Sequence, residues 1–247
     1  MNTPAGTARE VSAELWSVYG LRVRRIPLHR PCCRRKLPDR VYLQAEHKWA
    51  AIIASVEEMR DQGRPVLIGT DSVADSELLS RKLTGAGIAH QVLNARQDKE
   101  EAEIVAAAGN PRQVTVATNM AGRGTDIPLA EGIAKLGGLH VIAACRNDAK
   151  RVDRQLSGRC ARQGDPGSHQ AILSLEDELI QQSCGPTLIK FLGRCTTKSG
   201  RFHRKLNLYI IRRAQRRIER RHREARRALL QHDRQTGRLL AFSGNME

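Results

Sequence analysis

Apolar residues alternate between two spacings in the central part of the chain, residues 41–182. Short apolar runs predict buried strands at 41–44, 64–70, 89–94, 113–119, 139–145 and 169–175. Between these runs, apolar residues three and four positions apart predict helices at 46–61, 75–83, 99–109 and 148–162. Strands that alternate with helices in this way predict an α/β fold built on a doubly wound parallel sheet.

The chain on either side of this region has a different pattern. Residues 1–40 are short apolar pieces interrupted by Pro27, Pro31 and Pro38, which predicts an extended connector. A hinge is predicted after residue 182, at Gly185, Pro186, Gly193 and Gly200. Residues 204–231 then predict a long helix whose narrow apolar stripe suits packing against another domain: Ile211, Ala214, Ile218, Ala225 and Leu229. We therefore expect a connector at 1–40, an α/β domain at 41–182, and a hinge with a helix at 183–247.

Positive charge is concentrated near the end of the chain. The formal net charge is +16, and residues 201–238 carry fourteen Lys or Arg against three Asp or Glu. A basic helix of this kind favours an anionic partner, which could be acidic lipid, nucleic acid or an acidic protein surface. Aromatic residues make up only 3% of the sequence, so base stacking is not an evident binding mode.

Cysteine spacing and the first residues exclude several classes of protein. The six cysteines at 32, 33, 145, 160, 184 and 195 contain no CxxC pair, so we expect free thiols and no zinc site. The start of the sequence shows no charged head followed by an apolar run, and no stretch approaches about 18 apolar residues. We expect neither a secretory signal nor a membrane span.

A first candidate motif, ATNMAGRGTDI at 117–127, directly follows a predicted strand. Gly122 and Gly124 allow a tight turn and close approach of the backbone to a ligand. Asp126 can accept hydrogen bonds from sugar hydroxyls, and ligands of doubly wound folds bind at the carboxyl ends of strands, where this loop begins. Taken alone, such a loop is more often a simple tight turn.

A second candidate motif, QLSGRCARQGD, lies at 155–165 in the last predicted helix. Arg159 and Arg162 are three positions apart, which on a helix would place them on one face. Two guanidinium groups suit the charge that spreads over a γ-phosphoryl group during its transfer, and arginine offers a rigid fork of donors. An isolated pair of this kind is more often a solvated surface.

The two motifs together resemble the fifth and sixth motifs of superfamily-two helicases, and their amino-acid sequences resemble those of the SecA family. The resemblance rests on VTVATNMAGRGTDI, GGLHVI, RVDRQLSGRCARQGDPGS and LSLEDELI, with further agreement from GTARE upstream to AQRRIERRHREARRALLQHD downstream. It covers about residues 5–235 and implies the second nucleotide-binding domain of SecA, a RecA-like lobe, followed by the start of the scaffold helix. The stretch LEDEL at 175–179 is then structural rather than a Walker B acid.

The resemblance also implies roles for individual residues. Asp126 would contact the nucleotide ribose, and Arg159 and Arg162 would be arginine fingers that face the γ-phosphate of ATP bound with Mg²⁺. The residues that would shape and couple this interface are Gly122, Arg123, Gly124, Gln155 and Gln163. Two departures bear on coupling: Ser157 stands where the family usually has arginine, and RCAR replaces the usual Arg-Ser-Gly-Arg.

No GxxxxGKS or GxxxxGKT occurs in the sequence, so we expect the β- and γ-phosphates to be held by another, P-loop-containing lobe. The leading hypothesis is a motor lobe for ATP-driven protein translocation that is inactive alone. It would have a P-loop lobe or SecA itself, the protein-conducting translocase and acidic lipid as partners. The alternatives are a non-catalytic regulatory module of the translocase, a degraded SecA fragment, and, least favoured, a nucleic-acid helicase fragment. The expected location is the cytoplasm, with peripheral contact at the inner face of the cell membrane.

Overall fold

The computed structural model describes residue 8 and residues 11–24, 26–93, 98–118, 126–183 and 202–243. The strands within these ranges are β1 (Arg34–Lys36), β2 (Arg40–Tyr42), β3 (Val66–Thr70), β4 (Gln91–Leu93), β5 (Val114–Thr118), β6 (Leu139–Ala143) and β7 (Gly167–Ser174). The helices are α1 (Ser12–Tyr19), α2 (Ala45–Asp61), α3 (Val73–Gly85), α4 (Asp98–Ala107), α5 (Lys150–Ser157), α6 (Glu178–Ser183) and α7 (Phe202–Ser243).

The strands form one parallel sheet in the order β1-β7-β6-β3-β5-β4, and β2 pairs with β7 beyond β1. Every described pairing is parallel, as the alternation of strands and helices predicts. Because a parallel strand must return through a crossover, its helices cover both faces of the sheet. The predicted doubly wound α/β fold is confirmed.

Side chains of the central strands alternate between two cores. Val66 and Ile68 of β3 point to the face covered by α2 and α3, where they pack with Ile52 and Leu79. Leu67, between them in sequence, points to the opposite face and belongs to the core that α4 and α5 cover. This period of two explains why β3 reads as a continuous apolar run: both of its faces are buried.

A glycine in β3 sets how closely α5 approaches the sheet. A Cβ atom at Gly69 would overlap the methyl groups of Leu156, which is a residue of α5. Because Gly69 has no Cβ, the Leu156 side chain packs directly on the backbone of β3. This contact fixes the end of α5, and therefore the start of the loop that follows it.

Part of the predicted connector, residues 1–40, has regular structure. It contains α1, and β1 pairs in register with Gly167–His169 of β7. Proline interruptions mask this pairing in the sequence, since each piece is too short to show a period. The segment therefore supplies an edge strand to the sheet.

Helix α7 is longer than the pattern predicts: its first half carries apolar packing on the domain, and farther along Arg226 pairs with Glu14 of α1 at 3.0 Å. Ile211, Ala214 and Ile218 are buried against Leu173 and Ile180, whereas Ala225 and Leu229 of the same predicted stripe are exposed. The predicted hinge at 184–201 lies outside the described residues. Among the helices that the structure describes, none has the length and apolar content needed to cross a bilayer.

The acidic stretch 175–179 fastens helix α2 to the end of β7. Asp177 accepts a hydrogen bond from the Lys48 ammonium at 2.6 Å, and the two side chains are 9% and 5% exposed. Glu176 accepts a hydrogen bond from the backbone N–H of Ala45, the first residue of α2, at 2.7 Å. Both carboxylates therefore have structural partners in α2.

A buried polar network lies where β3, β6 and β7 begin. The Arg64 guanidinium donates to the carbonyls of Gly137 and Gly138 and, at 2.7 Å, to the hydroxyl of Ser168. Ser168 also shares a 2.7 Å hydrogen bond with Nδ1 of His140, which is fully buried. Burial, aided by the charges of Arg64 and then His169, lowers the pKa of His140 to about 3.

This network predicts that the domain loses stability as the pH falls. The pKa of His140 is lower in the folded chain than in the unfolded chain, where it is near 6.5, so protons bind preferentially to the unfolded state below that pH. Lowering the pH from 7 to 5 should reduce the free energy of unfolding by about 2 kcal/mol through His140. Urea unfolding at both pH values measures this. The His140→Gln variant, which keeps a polar partner for Ser168, should lose most of that pH dependence, and an equal dependence in the two proteins would contradict the assignment.

Candidate functional site

The loop that joins α5 to β7, residues 158–166, carries both predicted arginines, and we call it the arginine loop. Helix α5 ends at Ser157, five residues before the predicted end. Ala161 and Gln163 adopt left-handed backbone conformations, with φ of 56° and 54°, which no right-handed helix accepts. The prediction that Arg159 and Arg162 share one helical face is therefore wrong: they lie in an irregular loop.

Asp126 and the arginine loop form one hydrogen-bonded cluster. Oδ1 of Asp126 accepts from Nη1 of Arg162 at 2.9 Å, and Oδ2 accepts from Nε2 of Gln163 at 3.0 Å. Oδ1 also accepts from the backbone N–H of Ile127 at 3.0 Å. The side chains of Arg162 and Asp126 are 30% and 47% exposed, so solvent and ligands can reach this pair. Two motifs that are separated by β6 in the sequence thus meet through their charged side chains.

This cluster lies at the amino edge of the sheet. Arg162 and Gln163 come shortly before β7, and the backbone of Ala130 donates to Gly109, which precedes β5. The motif 117–127 was expected at the carboxyl ends of the strands. Thr118, at the end of β5, lies there, but Asp126 does not.

Two arginines from the segment before β2 hold the arginine loop in place. Nε and Nη2 of Arg34 both donate to the carbonyl oxygen of Cys160, at 3.2 and 3.1 Å. Nη1 of Arg30 donates to the carbonyl oxygen of Gln163 at 3.3 Å. The sequence analysis missed both residues. Their partners lie more than 120 positions away, and only the pairing of β1 with β7 brings them close.

The two departures from the family pattern form local contacts at the start of the loop. The Ser157 hydroxyl donates to the carbonyl of Arg154 at 3.2 Å, and the Cys160 thiol donates to the carbonyl of Ser157 at 3.3 Å. Cys160 is buried with Leu156 and Val141, and this burial raises the pKa of its thiol, an effect that the nearby Arg34 opposes. Cys160 is therefore a neutral anchor of the loop.

The remaining predicted site residues divide into two groups. Gln155 on α5 and Arg159 in the arginine loop are both half-buried and precede Arg162 along the same segment. Gly122, Arg123 and Gly124 lie outside the described residues. The structure therefore places Asp126, Arg162 and Gln163 in direct contact, with Gln155 and Arg159 on the segment leading into that cluster.

Helix α5 also contacts the long helix α7. Nε2 of Gln215 donates to the carbonyl of Asn147 and to Oδ2 of Asp153, both at 2.8 Å. A carboxylate oxygen of Glu219 accepts from the backbone N–H of Lys150, the first residue of α5, at 2.6 Å. Displacement of α7 would therefore be transmitted to α5 and to the loop at its end. The sequence shows no signal for this link, because the residues involved are polar and far apart.

The cluster has a limited but definite capacity for further hydrogen bonds. A carboxylate offers about four acceptor positions, and Asp126 uses three of them, for Arg162, Gln163 and Ile127. One position remains for a ligand hydroxyl. If Arg162 turned toward an anion, a second acceptor position on Asp126 would open at the same time. Asp126 and Arg162 can thus give up the hydrogen bond between them. Asp126 would then accept from a hydroxyl of the ligand, and Arg162 would donate to its negatively charged group.

Comparison with known proteins identifies the relatives of this chain. The model of the SecA P-loop domain family matches residues 31–134 and 129–200. The chain is 49% identical over 245 residues to protein translocase subunit SecA 3 of Magnetococcus marinus, covering 98% of this chain and 37% of the relative. It is 46% identical over 242 residues to SecA 2 of Nitrosospira multiformis, covering 98% of this chain and 36% of that relative. The chain thus spans little more than a third of the length of these relatives.

Solved structures share the fold at low sequence identity. The Escherichia coli DEAD-box protein SrmB matches 59% of this chain and 81% of its own, with 22% identity and a TM-score of 0.50. The yeast DEAD-box splicing factor Prp28 matches 74% of this chain and 39% of its own, with 14% identity and a TM-score of 0.51. These likenesses show a RecA-like α/β fold.

Proposed function

The chain belongs to the SecA family, and from that premise we propose that it is the helicase C-terminal lobe of an ATP-driven protein-translocation motor. In this proposal residues 41–182 are the lobe, 1–40 are the connector that leads into it, and 183–247 are the hinge and the start of the scaffold. The nucleotide would bind between this lobe and a P-loop lobe, on the same polypeptide or on a separate one.

The observation that carries the proposal is the cluster of Asp126, Arg162 and Gln163. A carboxylate suited to ribose hydroxyls and a guanidinium suited to a phosphate lie 2.9 Å apart and are partly exposed. The guanidinium belongs to the arginine loop, which Arg30 and Arg34 hold in place. An arginine that acts on the γ-phosphate must be held by a rigid frame, because misplacement by about 1 Å costs catalysis heavily. Arg159 would serve as the second finger.

The pairing of Asp126 with Arg162 supports a switch between two arrangements. Without nucleotide, the guanidinium neutralises the carboxylate. With nucleotide, Arg162 would turn to the phosphate and Asp126 would gain acceptor capacity for the ribose, so both halves of the ligand are recognised together. The shared contact makes the ribose and phosphate interactions depend on each other, and Gln163 would hold Asp126 in position during the exchange.

ATP bound with Mg²⁺ would supply the phosphoryl group whose hydrolysis drives the motor. Asp126 and Arg162 would contact only the ribose and the γ-phosphate. A nucleotide bound in this way would be held mainly by the P-loop lobe that faces this one. The P-loop lobe would contribute the phosphate cradle and the hydroxyl that binds the metal. The residues of this lobe would orient the γ-phosphate and neutralise the charge that develops on it.

The test is turnover with and without a P-loop lobe. We expect this chain alone to hydrolyse ATP no faster than background, because it holds only half of the positioning groups. Adding a P-loop lobe from a SecA relative in trans should produce turnover that saturates with the concentration of this chain. Binding to the P-loop lobe without any turnover would instead favour the regulatory module over the motor lobe. Turnover by this chain alone that Arg159→Ala abolishes would contradict the composite site.

The basic helix would attach this lobe to an anionic surface. The expected partners are acidic lipid at the membrane and the translocase. Residues 201–238 carry fourteen Lys or Arg and three Asp or Glu, and the described part of α7 is exposed from Arg220 to Leu229. Each basic residue near an anionic membrane contributes about 1 kcal/mol, and screening acts over about 8 Å at physiological salt. A few engaged arginines are enough for measurable binding.

Vesicle co-sedimentation measures this attachment. The full chain should bind vesicles that contain acidic lipid and should lose most of that binding in high salt, whereas a chain that ends at residue 200 should bind weakly at any salt concentration. Neutral vesicles are the control for both proteins. Equal binding of the two proteins to acidic vesicles, or binding that is insensitive to salt, would contradict the assignment.

A further inference from the structure

A cavity of about 380 Å³ opens between α5, α7 and the sheet, away from the cluster of Asp126 and Arg162. Its floor is formed by β6 and β7, through Val141, Ala143 and Ala171. Its walls are α5 on one side and the packed half of α7 on the other, with Leu156 and Gln215 facing it. The volume lies at the lower end of the range typical of small-molecule sites. We call it the α5–α7 cavity.

The walls of the α5–α7 cavity are strongly cationic. Six basic side chains line it, against two carboxylates, a formal balance of +4: Lys36, Arg146, Lys150, Arg154, Arg212 and Arg216. These residues come from β1, the β6–α5 loop, α5 and α7, so the fold gathers charge from four separate segments. A concentration of positive charge around a concave, partly desolvated space raises the local potential and attracts anions.

The two carboxylates of the cavity already have partners. Oδ2 of Asp39 accepts from Arg146 at 2.9 Å and lies 3.6 Å from the Lys36 ammonium. Asp153 accepts from Asn147 and from Gln215, and its Oδ2 lies 3.4 Å from Nη1 of Arg146. Arg146 thus bridges both acids. The acids are used within the wall, and Lys150, Arg212 and Arg216 add further positive charge to it.

A histidine adds a neutral polar group to the same cavity. His169 of β7 lines it, and its buried Nδ1 has no hydrogen-bond partner among the residues that the structure describes. Burial, followed by the charges of Lys36 and Arg34, lowers the pKa of His169 and keeps the ring neutral at pH 7.

We propose that the α5–α7 cavity binds a small anion that carries phosphate groups, at a site separate from the proposed nucleotide site. Arginine forks and a lysine ammonium match the oxygen-rich surface of a phosphate or diphosphate, and the net charge of +4 suits a multiply charged anion. The volume accommodates a diphosphate or the headgroup of a phospholipid. The anion would join α5 to α7, because both helices contribute arginines to it.

The experiment is calorimetric titration of the full chain with pyrophosphate at constant ionic strength. We expect saturable binding that weakens about tenfold in the double variant Arg212→Gln/Arg216→Gln. The matched control is Arg220→Gln/Arg227→Gln, which removes the same charge from exposed positions of α7 that do not line the cavity. It should change the affinity by less than about twofold. Arg162→Ala should leave the affinity unchanged, which separates this site from the proposed nucleotide site.

A second arm identifies the source of the phosphate. The same proteins are sedimented with vesicles of phosphatidylglycerol and phosphatidylcholine. Loss of vesicle binding that is larger in the cavity variant than in the control variant identifies a lipid headgroup, and equal losses identify a soluble phosphate ligand. Absence of saturable pyrophosphate binding together with equal vesicle binding by both variants would overturn the proposal, as would an equal loss of pyrophosphate affinity in both.

Discussion

ATP turnover by the motor assembled from this chain and a P-loop lobe is expected to fall about a thousandfold when Arg162 is replaced by alanine. The guanidinium would stabilise negative charge that appears on the γ-phosphoryl group only in the transition state, so kcat should fall much more than KM rises. Steady-state turnover over a range of ATP concentrations separates the two parameters. Arg162→Lys keeps the charge but loses the fork of donors, and it should recover only part of the rate.

Asp126→Asn is the control that shows whether Arg162 acts on the γ-phosphate itself or only holds Asp126 in position. If Arg162 acted only by holding Asp126, then removing either side chain would have the same effect and the double variant would be no worse than the single ones. We expect instead that Asp126→Asn mainly raises KM, since it weakens the contact to the ribose. An unchanged kcat in Arg162→Ala, with the fold shown intact by its unfolding midpoint, would contradict the assigned role.

Replacing Asp177 by alanine is expected to lower the free energy of unfolding by about 3–5 kcal/mol. The Lys48 ammonium is 5% exposed and stacks 4.1 Å above the ring of Trp49, so the helix holds it in place after its partner is removed. An uncompensated buried charge is far more costly than the loss of one hydrogen bond. Asp177 also accepts from the backbone N–H of Ser174 at 2.9 Å, and that donor would lose its partner too.

The matched control removes both charges at once. In the double variant Lys48→Met/Asp177→Leu, two apolar side chains fill the same space, and most of the lost stability should return. Asp177→Asn, which can still accept from Ser174, should fall between the wild type and Asp177→Ala. Urea unfolding of the four proteins gives the comparison. A loss below about 1 kcal/mol in Asp177→Ala would mean that water reaches Lys48 and that the pair behaves like one at the surface.

The sequence predicted secondary structure best where the apolar pattern is clear, as continuous runs in strands or as a helical stripe. The runs that became β3, β5 and β6 are apolar on both faces, and the stripe of α2 was read correctly because Trp49, Ile52 and Val56 are all buried. The fold class followed from their alternation. The prediction failed at the end of α5, where the helix stops at Ser157 with Gly158 as its C-cap, a stop signal that the prediction did not use. Beyond it, Ala161 and Gln163 adopt left-handed conformations that their residue types do not predict.

The candidate site could be predicted only in its parts. From residue type alone, Asp126 was predicted to bind ribose hydroxyls and Arg162 to face a phosphate. The structure places their side chains 2.9 Å apart. Their location at the amino edge of the sheet could not be predicted, since it depends on the path of the chain after β5. Arg30 and Arg34 gave no signal at all, because a contact across 130 residues leaves no periodicity in the sequence.

The anchoring of α7 near one end makes this helix a mechanical lever. It is held on the domain through Ile211 and Ile218, and farther along Arg226 pairs with Glu14 of α1 at 3.0 Å. The helix continues to Ser243, 17 residues beyond Arg226, which at 1.5 Å per residue is an arm of about 26 Å. A rotation of about 10° about Arg226 would carry the far end through about 4 Å, so a small angular change near the domain becomes a larger displacement at the end of the helix.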